Sequence, residues 1–189
     1  MSQELAFYLK TYLNVSENEL DACSSLFKLE NVKKNDFLLH TGQYAKKLSF
    51  IQDGFIRLYV NENGKEVTQW ISTKGYFVTD LSSFIFNNPA RWNIQALTDI
   101  EIFSINKADY EKLTSILPHW QQTEKAFLAH CFTILENRVF SLLSQTAEER
   151  YQQLFLQNKA LFNQVPLQYL ASMLGMTPET FSRIRKKLA

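Results

Sequence analysis

The sequence predicts an α+β protein: an N-terminal antiparallel β-barrel of the double-stranded β-helix or jelly-roll kind with flanking helices, a long helix, and a mostly helical C-terminal unit. Three observations carry this reading. Between residues 37 and 105, short runs rich in Phe, Ile, Val and Tyr alternate with turn residues, and Gly42, Gly54, Gly64 and Gly75 recur every ten to twelve positions. Closely spaced short strands build antiparallel sandwiches or barrels, because parallel strands need long crossovers. No Pro or Gly interrupts the chain between Pro118 and Pro166, where Leu128, Leu135 and Leu142 recur every seven residues. Residues 167–188 then hold two short helical patterns separated by Gly175.

Taken in order, Gln3 to Leu13 reads as a short amphipathic helix. Ser16 and Glu19 have capping-box spacing, so a second helix follows, to about Phe27. From Lys28 the pattern becomes strand-like: FLLHTG, KLSFIQDG, FIRLYVNENG, KEVTQWISTKG, WNIQAL and IEIFSI. Asp53-Gly54 and Asn63-Gly64 are both two-residue hairpin signals, since the favoured turn needs positive φ at its two central residues. Asn106 caps a short helix over KADYEKLTS, with Asp109 in its first turn. Pro118 opens the long helix. Its stripe of Phe127, Leu128, Cys131, Ile134, Leu135 and Leu142, widened by Phe132 and Val139, exceeds what one contact surface needs. That width implies pairing with a second copy, a homodimer; a helix packed on its own barrel is the simpler alternative. The expected units are residues 1–117 (barrel with N-terminal helices), 118–146 (long helix) and 147–189 (helical tail).

Charge and motifs exclude several function classes. The 20 Lys and Arg against 19 Asp and Glu leave no globally basic balance, yet residues 147–189 alone carry six Lys or Arg against three Glu. The basic asymmetry sits in the tail. Cys23 and Cys131 form no CxxC pair, so they supply neither a thiolate cluster nor a zinc site, and read as reduced thiols of a cytoplasmic protein. The opening MSQELAFYLKTYL lacks the basic and apolar regions of a secretion signal, and no run approaches ~18 apolar residues, so no membrane partner is expected. His40, His119 and His130 are scattered, and no P-loop, dinucleotide loop or Ser/His/Asp arrangement is present. The expectation is a protein without metal or resident cofactor, and not an enzyme.

The C-terminal pattern is the most informative. Leu167 to Leu174 makes one helix with Leu170, Ala171 and Leu174 on a face, and Gly175 supplies the left-handed turn. Thr177 caps the next helix and Pro178 fits its first position. Phe181, Ile184 and Leu188 share its inner face, leaving Glu179, Thr180, Ser182, Arg183, Lys186 and Lys187 outside. That set suits a DNA major groove: Arg bonds guanine bidentately, Glu accepts from cytosine, and hydroxyls and lysines hold phosphates. Gln168 and Thr177 flank it. A hairpin serving a protein contact is the alternative from another class.

GMTPETFSRIRKK, with TAEERY upstream and VPLQYLASML leading in, resembles the DNA-binding end of the Crp/Fnr family of transcription regulators. The resemblance extends over nearly the whole chain, most specifically at this end. It implies a cyclic-nucleotide-binding-type β-barrel, a dimerisation helix, a helix-turn-helix reading an inverted-repeat operator, and RNA polymerase as a further partner. By that similarity Glu179, Ser182 and Arg183 fall on base-reading positions, while Pro178 stands where some members place another Arg. No strand signal surrounds the hairpin, which implies a compact helical DNA-binding unit.

The resemblance places the effector region at GYFVTDLSSFIFNNPARWNIQAL. In cyclic-nucleotide-binding members a Gly-Glu-Leu turn holds the ribose and an Arg-Ser/Thr-Ala segment holds the phosphate. Here Thr79, Asp80 and Leu81 replace the first motif, with Ser82 following, and Arg91 with Trp92 stands in for the second, one position out of register. Thr133 on the long helix is a further candidate facing the barrel. These departures weigh against a cyclic nucleotide; another small effector, or none, is the counter-reading.

Overall fold

The computed structural model describes residues 3–13 and 15–188. Two helices, α1 (Gln3–Leu13) and α2 (Glu17–Ser24), precede the strands. The start of α2 is capped as its sequence suggests, with the Ser16 N–H and hydroxyl both donating to the Glu19 carboxylate at 3.0 and 2.6 Å. Then come β1 (Lys28–Val32), β2 (Phe37–Leu39), β3 (Lys47–Asp53), β4 (Ile56–Glu62), β5 (Lys65–Ser72), β6 (Phe77–Val78), α3 (Leu81–Phe86), β7 (Asn93–Ala96) and β8 (Ile100–Asn106). They form two antiparallel sheets, ordered β1-β8-β3-β6 and β2-β7-β4-β5. The expected jelly-roll arrangement is present, as two open sheets face to face and not a closed barrel.

Period-two alternation decides which side chains meet between the sheets. Ile51, Ile56, Leu58, Ile94 and Ile102 turn inward and are buried, while Phe50 and Ile105 are buried on the opposite face of their sheet. β1 falls before the strand runs legible in the sequence because KLENV alternates weakly and lies at a sheet edge with most positions exposed. Of the two Gly turns, Asn63-Gly64 joins the paired strands β4 and β5, with φ of 52° and 78°. Asp53-Gly54 makes no hairpin. β3 pairs with β8 and β6, so this turn carries the chain from one sheet to the other. Glycine is required there: at φ +93° an added Cβ would lie 2.6 Å from Ile100 Cγ2 and 2.7 Å from the Asp99 carbonyl oxygen.

Asn106 caps α4 (Lys107–Ile116), its side chain accepting from Asp109 N–H at 2.9 Å. The long helix α5 (Trp120–Ser144) starts two residues beyond Pro118. α5 is long and apolar enough to pass a length-and-composition test for a membrane span, but its first turns are spent on the sandwich. Phe127 is buried edge-on against Phe77, which itself meets Tyr8 of α1 and Phe50 of β3.

Four helices follow: α6 (Ala147–Gln157), α7 (Lys159–Gln164), α8 (Leu167–Met173) and α9 (Pro178–Leu188). Thr146 caps α6 with a second capping box through Glu149. Tyr151, Phe162 and Phe181 form an aromatic triad with centroids 5.0–5.8 Å apart, around which Leu161, Val165, Leu170, Ala171 and Ile184 pack. The same cluster takes in Phe55, Ile71 and Leu97 from the jelly roll, so the helical unit seats directly on the outer face of the second sheet.

Candidate functional site

The candidate nucleic-acid surface is assembled by local rules. Gly175, at φ +66°, ends α8; its N–H donates to Ser172 O, and Met176 N–H donates to Ala171 O at 3.0 Å. Thr177 Oγ1 accepts from Thr180 N–H at 3.3 Å, and Pro178 occupies the first turn of α9. Phe181 and Ile184 are buried and Ala171 is fully enclosed. Because that face is anchored, the opposite one is presented: Glu179, Arg183, Lys186 and Lys187 are exposed, with Thr180 and Ser182 half-buried at its margin. Pro178, Glu179, Ser182, Arg183 and Lys186 share one shallow concavity. Gln168 and Thr177 are exposed at the adjoining helix ends.

Two details refine the residue set. Leu188, grouped by periodicity with the buried positions, is 41% exposed, since α9 outruns its support there. Lys187 Nζ sits 2.8 and 3.0 Å from the Glu148 carboxylate of α6, so its charge is already engaged. The Glu179 backbone N–H and the Thr177 hydroxyl hold the Glu179 carboxyl below its ordinary range, keeping it an acceptor at neutral pH.

The hairpin is fastened to the jelly roll. Arg57 is only 1% exposed although it points outward from β4, because Tyr169 of α8 covers it. Its guanidinium lies 3.6 Å from the Tyr169 ring centroid and 4.1 Å from that of Tyr59, with bonds to Thr68 Oγ1 (2.9 Å) and Glu66 (2.7 Å). Thr68 N–H donates to Ser172 Oγ at 2.9 Å. Arg138 of α5 and Arg150 of α6 donate to the Met173 and Leu174 carbonyls at 2.7 and 2.9 Å, gripping the C-terminal end of α8.

Between the sheets lies a cavity of about 600 Å³, lined by Val32, Leu39, Tyr44, Val78 and Ile94 with Ser49, Thr79 and Ser104, and edged by the Lys47–Glu30 ion pair at 2.7 Å. Of the seven effector candidates, Thr79 lines it; its hydroxyl donates to Lys47 O at 2.9 Å. Asp80 is buried and caps α3, one oxygen accepting from Ser83 N–H (3.0 Å), the other from Arg91 and Trp92 N–H (2.8 and 3.3 Å). Its carboxylate is committed to backbone amides. Leu81 and Ser82 are exposed on α3, and Ser82 Oγ accepts from Asn88. The exposed Arg91 guanidinium lies 4.8 Å over the Trp92 ring, outside the cavity lining. Thr133 is exposed and donates to Ala129 O of its own helix at 3.0 Å. The bonded pair Ser49–Ser104 (2.8 Å) comes from strands 55 residues apart, which no local motif announces. Among the described residues no three His, Cys, Asp or Glu gather as a metal site requires.

On α5, Phe127 is buried and Cys131 is half-buried against the sandwich core, while Ile134 and Leu142 border a crevice toward the C-terminal helices. Leu128, Phe132, Leu135, Val139 and Phe140 remain exposed.

Residues 29–116 match the family model of the cyclic nucleotide-binding domain. The structure is similar to the catabolite activator protein of Thermus thermophilus (22% identity, 96% of this chain and 86% of that one, TM-score 0.59). It is also similar to CLP, a c-di-GMP responsive global regulator of Xanthomonas campestris (17%, 92% and 91%, TM-score 0.69), and to FixK2 of Bradyrhizobium japonicum (17%, 86% and 84%, TM-score 0.72). No curated protein matches the chain in sequence. At these identities the likeness establishes the fold.

Proposed function

From a chain that carries a cyclic nucleotide-binding domain and has the fold of Crp/Fnr-type transcription regulators, we propose a homodimeric, sequence-specific DNA-binding regulator, acting in the cytoplasm on an inverted-repeat operator and, through it, on RNA polymerase. The observation that carries the reading is the two-sidedness of α9: Phe181 and Ile184 anchor it, and Glu179, Ser182, Arg183 and Lys186 are offered on the other side in one concavity. In this reading Arg183 meets a guanine edge, Glu179 accepts from a cytosine amine, and Lys186 with Thr177 and Gln168 holds phosphates. The exposed side of α5 pairs the protomers and sets the two recognition helices about one helical turn, ~34 Å, apart.

The input is a change in the sandwich transmitted along α5 and through Arg57, Arg138 and Arg150 to α8. Any effector must favour one arrangement over the other to drive it. The cavity residues do not fit a cyclic nucleotide held in the manner the family resemblance implies. Asp80 is consumed by backbone amides and Arg91 lies outside the lining, so we assign none.

Selection of bound sequences from random DNA tests the proposal, with an inverted repeat as the expected yield. Arg183→Ala should relax preference at one position per half-site, by about 1–3 kcal/mol. Affinity falling equally for all sequences would make Arg183 a phosphate contact, and salt-insensitive weak binding would favour a protein partner for the hairpin.

A further inference from the structure

A second crevice, of about 660 Å³, lies outside the sandwich cavity, between the end of β5, the side of α5 that faces the C-terminal helices, α6 and the C-terminal end of α8. Its chemistry is uneven. Arg138 and Arg150 line it, together with five Asn and Gln side chains, Trp70 and Tyr76 at one wall, and Leu161 and Met173 among its apolar positions. Among the described residues no Asp or Glu lines it, and neither guanidinium has a carboxylate within ion-pair distance. Arg138 bonds one carbonyl oxygen and lies 5.0 Å over the Trp70 ring; Arg150 bonds two carbonyls. Burial pulls the Arg138 guanidinium down to about 10, so it stays charged at neutral pH.

Two half-buried cations that bond neutral carbonyls and meet no carboxylate leave positive potential without a matching anion. The volume falls in the range of small-molecule sites, ~300–1,000 Å³, and the mix of apolar walls with a few polar groups is what such sites present. We propose that this crevice binds a small organic anion, its carboxylate, sulfonate or phosphate head on Arg138 and Arg150 and its apolar body against Trp70 and the Leu161–Met173 wall. The same guanidiniums grip the end of α8, so the occupant sits at the joint between the jelly roll and the hairpin. The site stands whether or not the hairpin reads DNA.

The test is titration of the full chain with the fluorescent anion anilinonaphthalene sulfonate. Wild-type protein should bind it saturably. Arg138→Gln and Arg150→Gln should each weaken binding at least tenfold, whereas Lys125→Gln, an exposed cation on the same helix, should leave it unchanged. Thr73→Trp, which keeps both cations but fills the crevice, should abolish binding, and circular dichroism of each variant separates loss of the site from loss of the fold. Displacement by benzoate or by adenosine monophosphate supports the site and distinguishes a carboxylate from a phosphate source. Absent dye binding in the wild type, equal binding in the Arg and Thr73 variants, or displacement by neither organic anion would overturn the proposal.

Discussion

Replacing Arg57 by Met and Tyr169 by Ala, singly and together, isolates the contact that seats the helix-turn-helix on the jelly roll. Arg57 is 1% exposed and lies 3.6 Å from the Tyr169 centroid. A desolvated cation–π contact contributes ~2 kcal/mol. The Arg57 bonds to Thr68 and Glu66 do not involve Tyr169, so they persist in Tyr169→Ala and cancel in a double-mutant cycle. Met keeps most of the aliphatic volume, and Glu66 is nearly half exposed, so Arg57→Met strands no buried carboxylate. The expected coupling is therefore about 2 kcal/mol. In a chain of this size that corresponds to ~4–8 °C of Tm beyond the sum of the single effects. Urea unfolding and thermal melts of the four proteins provide the measurement. Additivity within ~0.5 kcal/mol would refute the sandwich of Arg57 between the two rings, and with it the route from sheet to α8.

Other expectations are as direct. Gly54→Ala forces a Cβ to 2.7 Å from a backbone oxygen at φ +93°, and should destabilise by about 1–3 kcal/mol in urea unfolding; a neutral effect would disprove the tight crossing. The Thr146 N–H and hydroxyl hold the Glu149 carboxyl below its ordinary 4.5. A depressed folded value means the stabilisation is complete above 4.5 and is lost as pH falls through the lower folded value. Thr146→Ala should thus cost about 1 kcal/mol at neutral pH and flatten the acid limb of unfolding below pH 4.5, read by circular dichroism; an unchanged acid limb would remove the capping box from the account. Leu135→Glu, on the exposed side of α5, should convert the proposed dimer to monomer in sedimentation velocity, and a dimer that persists would place the interface elsewhere.

How much of this was legible beforehand follows from the range of the interaction involved. Capping boxes at Ser16–Glu19 and Thr146–Glu149, the Asn106 cap and the Gly175–Thr177–Pro178 turn all arise from bonds spanning three to five residues. Their residues therefore declare them. Asp53-Gly54 and Asn63-Gly64 look alike in sequence, but only strand pairing distinguishes a crossover from a hairpin, and that depends on β8, some fifty residues away. Asp80 reads as a ligand residue until the chain brings the Arg91 and Trp92 amides onto it.

The alternation, caps and glycines of the chain were enough to determine an antiparallel jelly roll, a long helix and a two-faced C-terminal hairpin, because periodicity and local hydrogen bonding act within a few residues of one another. Tertiary packing decided the rest. It turned the outward Arg57 into a buried clamp under Tyr169, spent Phe127 on the sandwich core, left Leu128, Phe132 and Leu135 exposed, and opened a crevice around Arg138 and Arg150. Those outcomes depend on which surfaces lose water to one another, and burial is a property of the assembled chain that no local segment carries.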